Sequence, residues 1–412
     1  MSKIQVSRGN CPCLRVDPRE LAVGPDGPMC TTDESSCSPA ELLDALPTLA
    51  AEQYVDNAVN ADGKVNLRLS RLLPLYDGDF GDAFLLITSA SVRSSIRLVA
   101  DIPQPLHELT WHGPDTRTEL LEQLRDWRAQ GRTASLLWIA EDEFEHLMDE
   151  DAETFKLGAI SYFSSGFTPE SLSRYLQIIT ATDYESELAV ESRFLSMVED
   201  AEALVLTTPS LDARCVFRHQ ETEHWFSLHG PLRFGDQTVL PTGELSTLAD
   251  GSGAYDPASR LPIDGEIVFK GSPIIHRGDR SVSAEHTADT YRRLAPMEDL
   301  PVVAHVRNGF IHDFTSPVPE ARRLRDTFEA LVTAEPLYRK IHEFGFGTHP
   351  GCANRLRSNF HPNERWPGIH IGLGLGGFTP FHIDLALTEV HVLLDSPTAG
   401  MVPLYQQLGL RN

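Results

Sequence analysis

The chain has 412 residues, 41% of them hydrophobic and 23% charged, an ordinary composition for a globular protein with room for two or three domains. Its formal net charge is −24, and a surface that acidic repels phosphate backbones and anionic lipid, so neither nucleic-acid nor membrane partners are expected. No apolar run approaches the roughly 18 residues of a membrane span, and the opening "MSKIQVSRGNCPCLRVDP" has no hydrophobic signal core, so a cytoplasmic protein is expected.

Residues 1–38 are rich in Pro, Gly, Ser and Cys and read as an irregular arm. Cys11, Cys13, Cys30 and Cys37 crowd this arm at spacings that fit no zinc pattern, so reduced thiols are expected. "SPAELLDALPTLAAEQY" then opens as a helix, with Ser-Pro at its start and apolar residues at helical spacing. "DAFLLITSA", "SIRLVADI", "TASLLWIA", "LGAISYF" and "EALVLTTP" read as strands, separated by helical stretches such as "TRTELLEQLRDWRAQG". This alternation predicts an α/β domain over residues 39–225, an open sheet with helices. No glycine fingerprint follows a strand, so no nucleotide site is predicted. After residue 226 the texture changes. "GEIVFKGSPII" and "PVVAHVRNGFIHDF" predict strands and a hairpin turning at "RNG", and "PEARRLRDTFEALVTAEPLYRKI" predicts one long helix. Residues 226–412 thus read as an α+β domain, expected to bind metal for the reasons that follow.

"FHIDLAL" read as a strand puts His382 and Asp384 on one face, an N and an O ligand for a single ion. "GIHIGLG" places His370 among glycines, which allow close approach of backbone or ligand. In "HEFGFGTHPG", Glu343 and His349 share a face, and a carboxylate amid Phe and Gly needs a partner or a metal. "LPTGELSTLADG" adds Glu244. Each residue alone is more often a solvated or structural side chain. Together, three carboxylates and two imidazoles in four glycine-bearing segments make the donor set of a two-metal hydrolytic site, suited to Zn²⁺, Co²⁺ or Mn²⁺. Cys352, after a Gly near this region, is an alternative nucleophile. Glu364 in "HPNERWPG" reads as a salt-bridge residue, and His219, His224 and His229 in "RHQETEHWFSLHG" as a polar strand rather than a second metal site.

"LPTGELSTLADG", "EFGFGTHPG", "NERWPGIHIGLG" and "HIDLALTEVHVLLD" resemble, in this order, the motifs of the aminopeptidase T family of metallopeptidases. The resemblance spans about residues 230–395, and "ALVLTTPSLDARCVF" looks like the end of that family's first domain. It implies an α/β domain followed by a metal-binding domain, a homodimer, and an exopeptidase acting on a short peptide or a small amine-bearing substrate. It implies Glu244, Glu343, His370, His382 and Asp384 as ligands of two divalent ions, with Glu343 or Glu244 carrying the proton to the leaving amine. The chain departs from the family in three ways: "IGLGLGGFTPF" after His370 holds no tyrosine, the stretch from His370 to His382 is short, and His349 stands where the family has Asn. A missing oxyanion donor costs about 10²–10³ in rate; Tyr255 is a distant substitute. The related 2,5-dihydroxypyridine dioxygenases imply an alternative, a non-haem oxygenase with one Fe(II), for which His349 with His382 and Asp384 would complete two imidazoles and a carboxylate. A third reading is a catalytically degenerate protein that binds a peptide or metabolite in a biosynthetic pathway.

Overall fold

The computed structural model describes residues 5–8, 57–142, 152–221, 224–250, 256–278, 281–352 and 354–410. The four clustered cysteines, the helix expected from Ser38 and Tyr255 lie outside the described residues. Within them the protein is mixed α/β, built on three larger sheets. No described helix is long and apolar enough to cross a membrane.

The first sheet is the expected open one. Gln237–Val239, Phe155–Ser161, Ala134–Ala140, Ala83–Thr88 and Leu106–Thr110 lie side by side, all parallel. Ala83–Thr88 and Ala134–Ala140 are buried along their whole length because helices cover both faces. Ala83, Leu85, Leu136 and Trp138 meet Leu120, Leu124 and Trp127 of the helix Pro114–Ala129. Phe84, Leu86, Leu137 and Ile139 meet Leu172, Tyr175, Leu176 and Ile179 of the helix Pro169–Ala181. That helix starts sharply because Thr168 and Ser171 form a reciprocal capping box ahead of Pro169.

Two seven-stranded sheets make the rest. One runs Gln5–Arg8, His224–Leu228, Glu244–Leu248, Ile341–Gly347, Gly368–Leu373, Phe381–Leu387, Gly271–Arg277. The other runs Phe310–Thr315, Val302–Arg307, Ile263–Phe269, Ala213–Phe217, Ala203–Thr208, His391–Ser396, Gly400–Pro403. The hairpin at Arg307 turns through Asn308 and Gly309, both at positive φ, as "RNG" leads one to expect. The expected long helix is Arg322–Ala334, entered and left by short 3₁₀ turns.

Strand pairing does not follow a cut at residue 225. Ala203–Thr208 and Ala213–Phe217 precede it yet pair with His391–Ser396 and Ile263–Phe269, while Gln237–Val239 follows it and joins the parallel sheet. Ile96–Val99, expected within the open sheet, pairs instead with Val65–Arg68.

One hydrophobic cluster joins the two larger sheets. Phe344, Phe346, Ile369, Ile371, Ile383 and Leu385 contribute to it from the first, and Leu204, Phe217, Ile263 and Leu394 from the second. Phe346 sits at its aromatic centre, 4.9 Å from both Phe194 and Phe344 by ring centroids. Phe346→Ala is expected to destabilise the protein by about 3–5 kcal/mol, read as a shift in the urea midpoint without loss of the parallel sheet's helical signal.

Candidate metal centre

Strand alternation sorts the side chains of the first seven-stranded sheet. Phe344, Phe346, Ile369, Ile371, Ile383 and Leu385 face the core. The intervening residues, Glu343, Gly345, His370, Gly372, His382 and Asp384, face the other way, and the register sets Gly372 opposite both Glu343 and Asp384. Glu244 lies opposite Gly347. The structure therefore brings all five expected ligands together on one sheet face, although they span residues 244 to 384.

The donor atoms form a chain. His370 Nε2 is 3.3 Å from Glu244 Oε1 and 3.7 Å from Glu343 Oε1. Glu343 Oε2 is 3.1 Å from His382 Nε2, which is 3.1 Å from Asp384 Oδ2. Two groups could each hold a metal ion, Glu244–Glu343–His370 and Glu343–His382–Asp384, and Glu343 belongs to both. His382 donates its Nδ1–H to the carbonyl of Gly374 (2.8 Å), which turns Nε2 toward the carboxylates, where it carries a proton or, once that proton is displaced, a lone pair for a metal ion. Asp384 Oδ1 and His370 Nδ1 are buried without a hydrogen-bond partner. Neutral imidazole nitrogens, clustered carboxylates and an orphaned buried oxygen are the donor chemistry of a divalent-metal site, and the residues fit such ions.

Sequence reasoning missed the rest of the cluster. His276 lies directly across from His382 on the edge strand, its Nε2 3.2 Å from Asp384 Oδ2 and 2.6 Å from Glu364 Oε1. Arg365 is fully buried; its Nη1 contacts Glu364 Oε2 (2.8 Å) and Glu244 Oε2, and its Nε donates to the carbonyl of Pro241. His361 Nε2 is 3.1 Å from Glu364 Oε2. Glu364 is thus in an ion pair, as its sequence context suggested, but inside the cluster. "PIIHR" carries a period-2 signal for His276, but nothing in it announces that His382 is its neighbour.

Charge compensation sets the proton affinities. Burial alone would lower the pKa of His276, but Glu364 and Asp384 reverse this and raise it to about 10. Burial likewise opposes the charged form of His370 and His382, but the carboxylates around them outweigh it and raise both well above the usual imidazole range. Glu343 and Asp384 fall below the usual carboxylate range despite burial because these imidazoles face them. Without metal the site is a network of imidazolium–carboxylate pairs, and a metal ion must displace protons to bind.

The glycines are a steric requirement. A Cβ on Gly345 would fall inside the His370 ring, and one on Gly372 would lie 2.6 Å from Glu343 Cβ and 2.8 Å from His382 Cε1. Gly347 lies under the backbone of the turn that carries Glu364 and Arg365. Beside the centre, a bulge between Ile341 and Glu343 accompanies His342, whose Nδ1 is 2.8 Å from Asp250 Oδ2; Lys340 Nζ donates to Asp250 Oδ1 at 2.6 Å.

His349 is not at the centre, which corrects its expected alternative role as a ligand. Its Nδ1 accepts the N–H of Gly351 (2.9 Å), so its Nε2–H donates to Thr182 Oγ1 (2.8 Å), and neither nitrogen is available to a metal. Burial and the nearby Arg365 lower its pKa to about 4, consistent with a neutral ring. Cys352 is buried, and burial raises its thiol to about 12, which does not suit a nucleophile. His219 donates its Nε2–H to the carbonyl of Val198 (2.7 Å), and His229 Nε2 meets Thr348 Oγ1 (2.6 Å), away from the cluster.

Glu187 lies 3.9 Å from His349, its Oε2 accepting from Gly230 N–H and the Thr242 hydroxyl. Burial dominates and raises its pKa to about 8.

Fold and site define a mixed α/β protein in which one seven-stranded, largely antiparallel sheet carries a buried imidazole–carboxylate cluster with groups that could hold a metal ion. The chain belongs to the family described as crocagin biosynthetic protein CgnE/B, whose profile matches residues 148–394. No curated protein matches it. Among solved structures, the 2,5-dihydroxypyridine dioxygenase from Pseudomonas putida KT2440 is similar at a TM-score of 0.46 and 15% identity, over 82% of this chain and 94% of that one.

Gly345→Ala is expected to displace His370, cost about 1–3 kcal/mol, and abolish tight Zn²⁺ binding in a chelator-competition titration. For Glu187 the folded pKa, about 8, lies above the ordinary 4.5. Its contribution to stability is complete below about pH 4.5 and is lost as the pH rises through about 8. Glu187→Gln mimics the protonated form, so its Tm should fall less than the wild type's between these pH values.

Proposed function

We propose that this protein is a metal-dependent hydrolase acting on an amide of a small amine-bearing or short peptide substrate within a biosynthetic pathway. The observation that carries the reading is Glu343, whose two oxygens face two different imidazoles, His370 and His382, and so belong to two ligand groups at once. A carboxylate shared in this way is the hallmark of centres in which two divalent ions polarise a carbonyl and make water nucleophilic near neutral pH. Zn²⁺, Co²⁺ or Mn²⁺ suits the N/O donors. The motif order shared with the aminopeptidase T family supports the same chemistry.

The chain's own residues divide the remaining work. Glu343, Glu244, His370, His382 and Asp384 would hold the ions. Arg365 fixes Glu244 Oε2 and leaves Oε1 toward His370 and the centre, as the oxygen of Glu244 that would ligate. The segment after His370 supplies no tyrosine, and Arg365, engaged by Pro241, Glu364, Glu244 and His361, balances the carboxylates beside the cluster.

A second reading rests on a specific observation. His276 and His382 both approach Asp384 Oδ2, two imidazoles and one carboxylate in the donor set of non-haem iron oxygenases. His276 takes the part that sequence alone suggested for His349.

Metal analysis by mass spectrometry separates the readings. Glu343→Ala is expected to remove two Zn²⁺, Co²⁺ or Mn²⁺ ions per chain and to lower the release of amine from peptide amides by about 10²-fold or more. One iron per chain that survives Glu343→Ala would favour the oxygenase, and a chain that takes up no metal on reconstitution would overturn both.

A further inference from the structure

The five-residue centre leaves part of the cluster unexplained. On the edge strand, His276 Nε2 stands between Glu364 Oε1 (2.6 Å) and Asp384 Oδ2 (3.2 Å), and these three residues offer ligand atoms within metal-binding reach of one another. None of Glu244, Glu343 or His370 belongs to this group; Asp384 alone links it to the Glu343–His382 group. We propose that His276, Glu364 and Asp384 form a third divalent-cation position, joined to the other two through Asp384 as those two are joined through Glu343. The proposal rests on the two-metal reading of the centre and extends it.

Four observations support it. The groups follow one another along the sheet face in the order of the strands, with His276 directly opposite His382 in the register and the two rings 5.8 Å apart. Asp384 is 2% exposed, and its Oδ1 has no hydrogen-bond partner, so its second oxygen can serve a second ion. Glu364 divides its oxygens in the same way: Oε2 takes Arg365 and His361, while Oε1 faces His276. Finally, the His276 side chain is 26% exposed, against 7% or less for Glu244, Glu343, Glu364, His370, His382 and Asp384. The third position is therefore the one next to solvent. It is where an arriving ligand first meets the centre.

Charge sets its character. Three divalent cations outweigh four carboxylates, the more so with the Arg365 guanidinium beside them. The outer ion consequently takes its remaining ligands from water or from an oxygen anion, such as a substrate carboxylate, and binds more weakly than the inner two. The chemical class of ligand it recognises is a carboxylate or phosphate oxygen, presented at the solvent-exposed side of His276.

The test is equilibrium dialysis of the chelated full-length chain against Co²⁺ alone, with stoichiometry by mass spectrometry and the Co²⁺ visible absorption read in parallel. The wild type should bind three ions, one of them weaker by about tenfold or more. His276→Ala should lose only the weak ion and its absorption, and Glu343→Ala should lose the two tight ions and keep the weak one. His276→Gln and Glu364→Gln serve as second variants, with circular dichroism confirming the fold. Two ions in both wild type and His276→Ala would overturn the third position and leave the two-metal reading standing. Loss of a tight ion in His276→Ala would also overturn it, by making His276 a ligand of the inner pair. No ion in the wild type would overturn both.

Discussion

Everything around the centre answers one electrostatic demand. Glu244, Glu343, Glu364 and Asp384 are buried within a few ångströms of each other, and buried carboxylates cost several kcal/mol each unless matched by opposite charge. Among the described residues, Arg365 is the permanent cation paired with them. The remaining compensation must come from protons on His276, His370 and His382 or from metal ions in their stead, and the arrangement of imidazole nitrogens against carboxylate oxygens accepts either.

The covering turn follows from that demand. His361–Arg365 brings the guanidinium down onto Glu244 and Glu364, and it can do so because Gly347 offers no side chain beneath it. Arg365 is further tied to the carbonyl of Pro241, in the segment that leads into Glu244. Thr242 and Glu187 continue the polar contacts away from the centre, toward the helix Tyr184–Glu199. The donor-bearing side of the sheet is thus connected to that helix through Thr242 and Glu187.

The legible part of the centre was the part written in glycine. His370, Glu343 and the His382–Asp384 pair sit where an alternation of apolar residues is broken by donors and small residues, and that pattern depends only on local spacing. Glu244 follows the same logic from its short motif. His276, His361 and Arg365 come from segments whose local pattern is unremarkable, and their roles depend on which strand lies beside which, a long-range property that spacing cannot carry. His349 failed for the complementary reason. It lies two residues past the end of a strand whose alternation would have kept it beside Glu343, and the chain there turns into a 3₁₀ segment, with its ring at Thr182. The open parallel sheet was visible in its buried apolar runs, whereas the assignment of Ala203–Phe217 to a sheet of later strands rests on antiparallel pairings across some 50 to 190 residues.

The alternation that builds the centre also guards the sheet's alignment. Residues 343–347, Gly368–Leu373 and Phe381–Leu387 carry aromatic or branched aliphatic residues on one side and ionisable groups, glycine or alanine on the other. A slip of one residue in any of them would exchange the two sets, driving a carboxylate or imidazole into the cluster around Phe344 and Phe346 and turning those rings outward. Few misalignments carry so large a penalty. The same residues that invite metal thereby act during folding as markers of correct pairing, and the register of this sheet would be enforced even in a relative that had lost its chemistry.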